Sequence, residues 1–228
     1  MNTKNRRIID LSMPIRSGHF RWPVERRKLR DYEDGDHTQV TWAGWSVHSF
    51  THMDAGRHFS PSAFTTDDVE LDQVVGDAAV VDLTRVNANS PITGEMIEKA
   101  GRSIREGDIV LMRTDWDKRE SVDTREYWTR APYMTEEAAR WLLNRGIKAI
   151  AFDFPQDQCI RDLVTGDRSP AWEENTTHLV LLLNGVVMFE YLSNMSSIRK
   201  DRVMFVGLPL KLPDSDGAPA RAIAIEED

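Results

Sequence analysis

Half of the chain's six histidines fall within one stretch, His48-Ser49-Phe50-Thr51-His52-Met53-Asp54-Ala55-Gly56-Arg57-His58. Imidazole and carboxylate are the ligands used by zinc, and also by manganese and iron. A lone histidine on a polar loop is ordinarily no ligand, but His-x3-His-x-Asp-x3-His points to a bound divalent cation. The spacing also limits the backbone. On a helix His48 and His52 share a face while Asp54 points away from His52. On a straight strand all four residues share one parity, yet four residues span roughly 13 Å. Ligand bonds of ~2 Å do not tolerate that separation. The segment is therefore expected to leave a strand over residues 40–47 and curl. His48 would lie near the strand end and His52 and Asp54 on the turn, with Gly56 supplying backbone freedom.

A second pair lies far along the chain. His178 opens His178-Leu179-Val180-Leu181-Leu182-Leu183, and Glu190 follows twelve residues later. Alone, His178 reads as a helix cap and Glu190 as a solvated strand end. But Glu190 sits between the apolar runs 186–189 and 191–192. A carboxylate in that context needs a partner charge, which a metal would supply. His19 and His37 read as surface or structural residues.

Other chemistries find no support. Gly44-Trp45-Ser46-Val47-His48 imitates a serine nucleophile elbow, but its fifth position is His and no helix follows. No Gly-x-Gly-x-x-Gly or phosphate-cradling Lys loop occurs. Cys159, the lone cysteine, lies in a polar loop and reads as an incidental thiol.

The elements that must position these residues show as apolar runs rich in branched side chains. They occupy residues 8–11, 40–47, 78–83, 109–112, 147–152, 186–190, 203–208 and 221–225, and most are bounded by Gly, Pro, Asp or Asn, as strands are. Helices are expected over 93–100, ending at Gly101, and over 134–145, with Thr135 as cap and Gly146 as stop. A short buried helix is expected over 177–183. Residues 115–133 read as a polar excursion anchored by Trp116, Tyr127 and Trp128, or as a lid over a site. Alternation of strand and helix in the second half argues for an α/β fold with a mixed sheet, in one domain over residues 1–228.

Composition bounds the partners. Twenty-nine Lys and Arg against 37 Asp and Glu leave a net charge of −8. With no basic block, nucleic acid and anionic membrane are poor candidates. The longest apolar run, 179–189, is broken by Asn184 and Gly185 and falls far short of the ~20 residues of a membrane span. Residues 1–14 lack the apolar region of a signal peptide, so a cytoplasmic, disulfide-free protein is expected.

These residues resemble the cyclase family of metal-dependent hydrolases, which includes bacterial kynurenine formamidases and isatin hydrolases. Its signature is His-x-Gly-Thr-His-x-Asp-x-Pro-x-His, and His48, Thr51, His52, Asp54 and His58 stand in register with it. Phe50 replaces the Gly and Gly56 the Pro. Leu11-Ser12-Met13-Pro14 resembles the family's opening strand, and Ala151-Phe152-Asp153-Phe154-Pro155-Gln156-Asp157 its Asp-x3-Asp strand end. His178, Glu190 and Asn194 resemble its late residues.

The resemblance implies a swivelling β/β/α cyclase-like fold and a homodimer or homotetramer. It also implies one or two divalent metals, zinc foremost and manganese as the alternative. His48, His52 and Asp54 would hold the first ion, and Asp54 would bridge to a second held by His178 and Glu190. A divalent ion lowers the pKa of bound water to ~7. The hydroxide so supplied would attack an amide, lactam or ester carbonyl, with His58 as general base and then acid. Phe20, Trp22, Trp42, Trp45 and Phe50 could form a flat pocket for a planar or aromatic small molecule. A lactone hydrolase, or a lyase or cyclase acting next to a carbonyl, is the alternative reaction.

Overall fold

The structure is a computed structural model that describes residues 6–227. The first five residues of the stretch read for a leader lie outside them. Among the described residues twelve strands form. They are β1 (Arg6–Asp10), β2 (Val24–Arg30), β3 (Val40–Trp45), β4 (His52–Asp54), β5 (Val75–Asp82), β6 (Pro91–Ile92), β7 (Ile109–Arg113), β8 (Tyr133–Met134), β9 (Ala149–Phe152), β10 (Val187–Glu190), β11 (Arg202–Pro209) and β12 (Gly217–Glu227). Eight of them make one mixed sheet, ordered β1-β12-β11-β5-β7-β9-β10-β4, and an added β12–β4 pairing curls it into a partly closed barrel.

The middle of that sheet is parallel, β5-β7-β9-β10, and its strands are buried on both faces. Val81, Met112 and Phe152 point to one core with the helices Gly94–Ala100 and Glu136–Asn144, while Val80, Leu111 and Ala151 point to another inside the curl. Double burial is why these strands show as unbroken branched runs rather than alternating ones. The helices start where expected. Thr93 accepts from the Met96 N–H and Thr135 from the Ala138 N–H, each pairing an amide that the helix leaves without an intrahelical partner. Among the described residues no helix is long and apolar enough to cross a membrane.

Two local expectations need correction. The run 40–47 does form a strand at its start, but β3 pairs only with β2, in a separate two-stranded ribbon. And His52 and Asp54 are not on a turn. They lie on β4, whose three residues are buried between β10 and β12. The curl comes earlier, over residues 46–51, where the Ser49 N–H bonds to the Ser46 carbonyl.

In the excursion 115–133 the aromatics are deep anchors. Trp116, Tyr127 and Trp128 are buried. Their polar ends donate to the carbonyls of Tyr127 (2.8 Å), Asp153 (3.0 Å) and Val122 (3.1 Å), respectively.

Candidate metal centre

Strand register assembles the site. β4 is antiparallel to both neighbours, which sets Glu190 of β10 directly opposite His52 and Gly217 of β12 opposite Asp54. Thr51 fixes the entry to β4. Its hydroxyl donates to the Tyr191 carbonyl and accepts from the Met13 N–H, both at 2.8 Å. The backbone freedom of the turn falls on Phe50, in the left-handed region at φ 58°, and not on Gly56. Gly56 serves packing instead, since a Cβ there would lie 2.8 Å from the Ala63 Cβ and 2.9 Å from the Phe64 ring.

A left-handed φ costs an L-residue roughly 1–2 kcal/mol. Phe50 is nevertheless buried, with its ring centroid 4.7 Å from that of Trp22 and 5.7 Å from that of His19. Truncating a buried Phe costs about 3–5 kcal/mol, so packing outweighs strain. We expect Phe50→Gly to lower stability by about 2–3 kcal/mol, read as a fall in the urea midpoint. A gain in stability would show that the strain dominates.

Asp54 is the common point of the cluster. Ligand atoms of His48, Asp54 and His58 lie within 4.8 Å of one another, and so do those of His52, Asp54 and Glu190. His178 approaches both carboxylates, with Nε2 3.4 Å from Asp54 Oδ2 and 3.3 Å from Glu190 Oε1. All six residues singled out in the sequence thus converge. His58 adjoins the other five rather than standing apart, its ring stacked on His48 at 3.9 Å between centroids. His19 is elsewhere and structural. It accepts from the Arg21 and Trp22 N–H groups and faces the Val122 carbonyl.

The donor set fits a divalent cation. His52 Nδ1 faces the Phe50 carbonyl at 2.8 Å. A carbonyl only accepts, so Nδ1 carries a proton, and in the neutral ring that a metal ion requires Nε2 holds the lone pair. That nitrogen is buried without a hydrogen-bond partner, 3.1 Å from Asp54 Oδ1 and 3.7 Å from Glu190 Oε2. An orphaned buried lone pair beside two carboxylates is costly unless a cation is shared. His178 is oriented in the same sense, with Nδ1 2.6 Å from Asp157 Oδ2. This is the outer carboxylate that metal-ligating histidines commonly keep. Gln156 donates to Glu190.

The charges follow from these contacts. Burial works against the Asp54 carboxylate, but His52, His178 and His48 hold its pKa well below the usual range. Burial would likewise lower His48, yet Asp54 and Asp216 raise it to about 9. His58 departs from the unperturbed value of ~6.5. About a third of its side chain, 32%, reaches solvent, but burial of the rest, with His48 and His178 nearby, pushes it down to about 4.

A raised histidine pKa stabilises the fold fully below the unfolded value, and that contribution is lost as pH rises through the folded one. On this ground we expect the metal-free chain to lose stability between pH 6.5 and 9. A bound cation, competing with the proton on His48, should reverse the trend. Urea midpoints at the two pH values, with and without metal, check this; parallel trends would contradict it.

Two neighbours escaped the sequence reading as parts of the site. Asp157 lay within a recognised strand end but had no role there. Asp216 carried no signal, because Asp-Gly before a strand reads as a turn. Of the expected aromatic pocket, Trp22 and Phe50 meet in a buried group with Trp128 and Tyr191. Trp42 lies on the outer ribbon under Arg27. Cys159 is buried, which lifts its thiol pKa to about 11 and makes it a poor nucleophile,.

The chain is similar to several known proteins. The Cyclase family model, described as "Putative cyclase", matches residues 9–156 of the 228. A kynurenine formamidase of Erythrobacter litoralis is 28% identical over 225 residues, covering 97% of this chain and 94% of that one. An isatin hydrolase of Roseibium aggregatum is 26% identical over 223 residues, covering 89% and 81%. A solved structure described as a potential metal-dependent hydrolase with cyclase activity superposes with a TM-score of 0.73 at 26% identity, covering 98% of this chain and all of that one.

Proposed function

The chain belongs to the Cyclase family, and from that premise we propose that it is a metal-dependent hydrolase opening the C–N bond of an aryl formamide, lactam or related carbonyl compound. The observation that carries this reading is His52 Nε2, buried and without a hydrogen-bond partner beside the carboxylates of Asp54 and Glu190. The relatives named for kynurenine formamidase and isatin hydrolase activity support the choice of an amide or lactam on a planar group.

His48, His52, Asp54, His178 and Glu190 would hold one or two divalent ions, zinc or manganese. When bound, such an ion activates water near neutral pH and polarises the carbonyl oxygen. The chain's own residues do the rest. Asp157 and the Phe50 carbonyl fix the rings of His178 and His52. His58, uncharged at neutral pH, accepts the proton of the attacking water and returns it to the leaving nitrogen. Its depressed pKa makes the protonated ring a stronger acid than a free imidazolium, which favours the second transfer. Residues 1–228 act as one domain, and a homodimer or homotetramer is the assembly we propose.

The test is acid release from a formylated arylamine and from an aryl lactam. Hydrolysis gives one new carboxylic acid per turnover, lost on chelation and restored by zinc or manganese. Consumption of substrate without acid would favour the lyase or cyclase reading.

A further inference from the structure

Each of the three histidines that approach Asp54 most closely is tethered on its far side. For His52 the tether is the Phe50 carbonyl and for His178 it is Asp157. For His48 it is Asp216, whose Oδ2 lies 2.8 Å from Nε2 while Nδ1 faces Asp54 Oδ1 at 2.7 Å. We propose that Asp216 is a positioning residue that fixes the ring of His48 toward the metal centre, as Asp157 does for His178. This rests on the metal reading above.

Two further features show that the contact is built. The backbone carbonyl of Asp216 accepts from the Ala55 N–H at 2.9 Å, anchoring the residue beside the end of β4. The next residue, Gly217, lies against the ring itself. A Cβ there would sit 2.7 Å from His48 Cε1 and 3.1 Å from Nδ1, so the backbone is bare where the imidazole rests on it. The entry to β12, the strand that closes the sheet onto β4, therefore delivers both the carboxylate and the space.

The plain alternative is a surface ion pair. The Asp216 side chain is 46% exposed, and exposed pairs contribute little. What separates the two is direction. Asp216 bonds the outer nitrogen of a ring whose inner nitrogen is already committed to Asp54. His58 Nδ1, at 3.8 Å from the same carboxylate oxygen, is too far for a hydrogen bond,.

Zinc affinity of the full chain, measured by competition with a chromogenic chelator, tests this. Removing an outer partner of a ligating histidine typically weakens metal binding about 10–100-fold. That is the expected loss for Asp216→Ala. Asp216→Asn keeps an oxygen acceptor for the Nε2–H and should recover most of the affinity. The melting temperature of each metal-free variant confirms that the fold is retained. Zinc binding by Asp216→Ala as tight as in the unaltered chain would overturn the proposal, and so would Asp216→Asn binding as weakly as Asp216→Ala. Failure of the unaltered chain to bind either zinc or manganese would sink the metal reading itself, and this inference with it.

Discussion

Replacing Asp54 by alanine is expected to strip the chain of bound metal and to lower hydrolysis by roughly 10³-fold or more, the rate equivalent of several kcal/mol of charge stabilisation. The expectation follows from position. Asp54 belongs to both groups of converging ligand atoms, and Nε2 of His178 lies 3.4 Å from its second oxygen. Glu190 does not replace it, because Glu190 reaches only the His52 and His178 side of the cluster. Removing one partner of a buried ionic group also costs about 3–5 kcal/mol of stability. Asp54→Asn, which keeps the shape and loses the charge, separates the two effects. Metal per chain and melting temperature, measured on both variants, give the answer. Full metal content in Asp54→Asn would remove Asp54 from the centre of the account.

His58→Gln should behave differently, with metal retained and turnover depressed by about 10²–10⁴-fold, the usual contribution of a positioned acid–base group. His58 stands at the open rim of the cluster, stacked on His48, and its ring is 5.8 Å from that of His178. It can reach a substrate while His52, Asp54 and Glu190 are enclosed behind it. The measurement is kcat together with metal content. A fall in kcat at constant metal supports the proton-transfer role. Loss of metal would make His58 a ligand, a role its place beside His48 and Asp54 also permits.

What the sequence made legible is the part of the fold under the strongest hydrophobic demand. Strands β5, β7, β9 and β10 are buried on both faces, so their residues are almost all apolar and bounded by polar breakers. The helix starts at Thr93 and Thr135 were equally plain, because capping is local chemistry. The ribbon strand β2 was not. Its residues, Glu25 through Arg30, are mostly charged and carry no alternation, since neither face is covered.

The sequence points to six residues that the fold brings together, but not to how they meet. Ligand spacing puts His52 and Asp54 on a turn, and Gly56 is the residue expected to supply its backbone freedom. In the structure Phe50 carries the left-handed angle, held there by packing. Asp216 could not be found because it lies 168 residues from His48, and only the closing pairing of β12 with β4 brings it near.

The most direct test is the number of divalent ions per chain, measured by plasma emission on protein purified without chelators or a histidine tag and then incubated with zinc or manganese. The account predicts saturation at one to two ions per chain. No bound ion after incubation would contradict it, and the converging histidines and carboxylates would then be a buried ionic cluster without a catalytic cation.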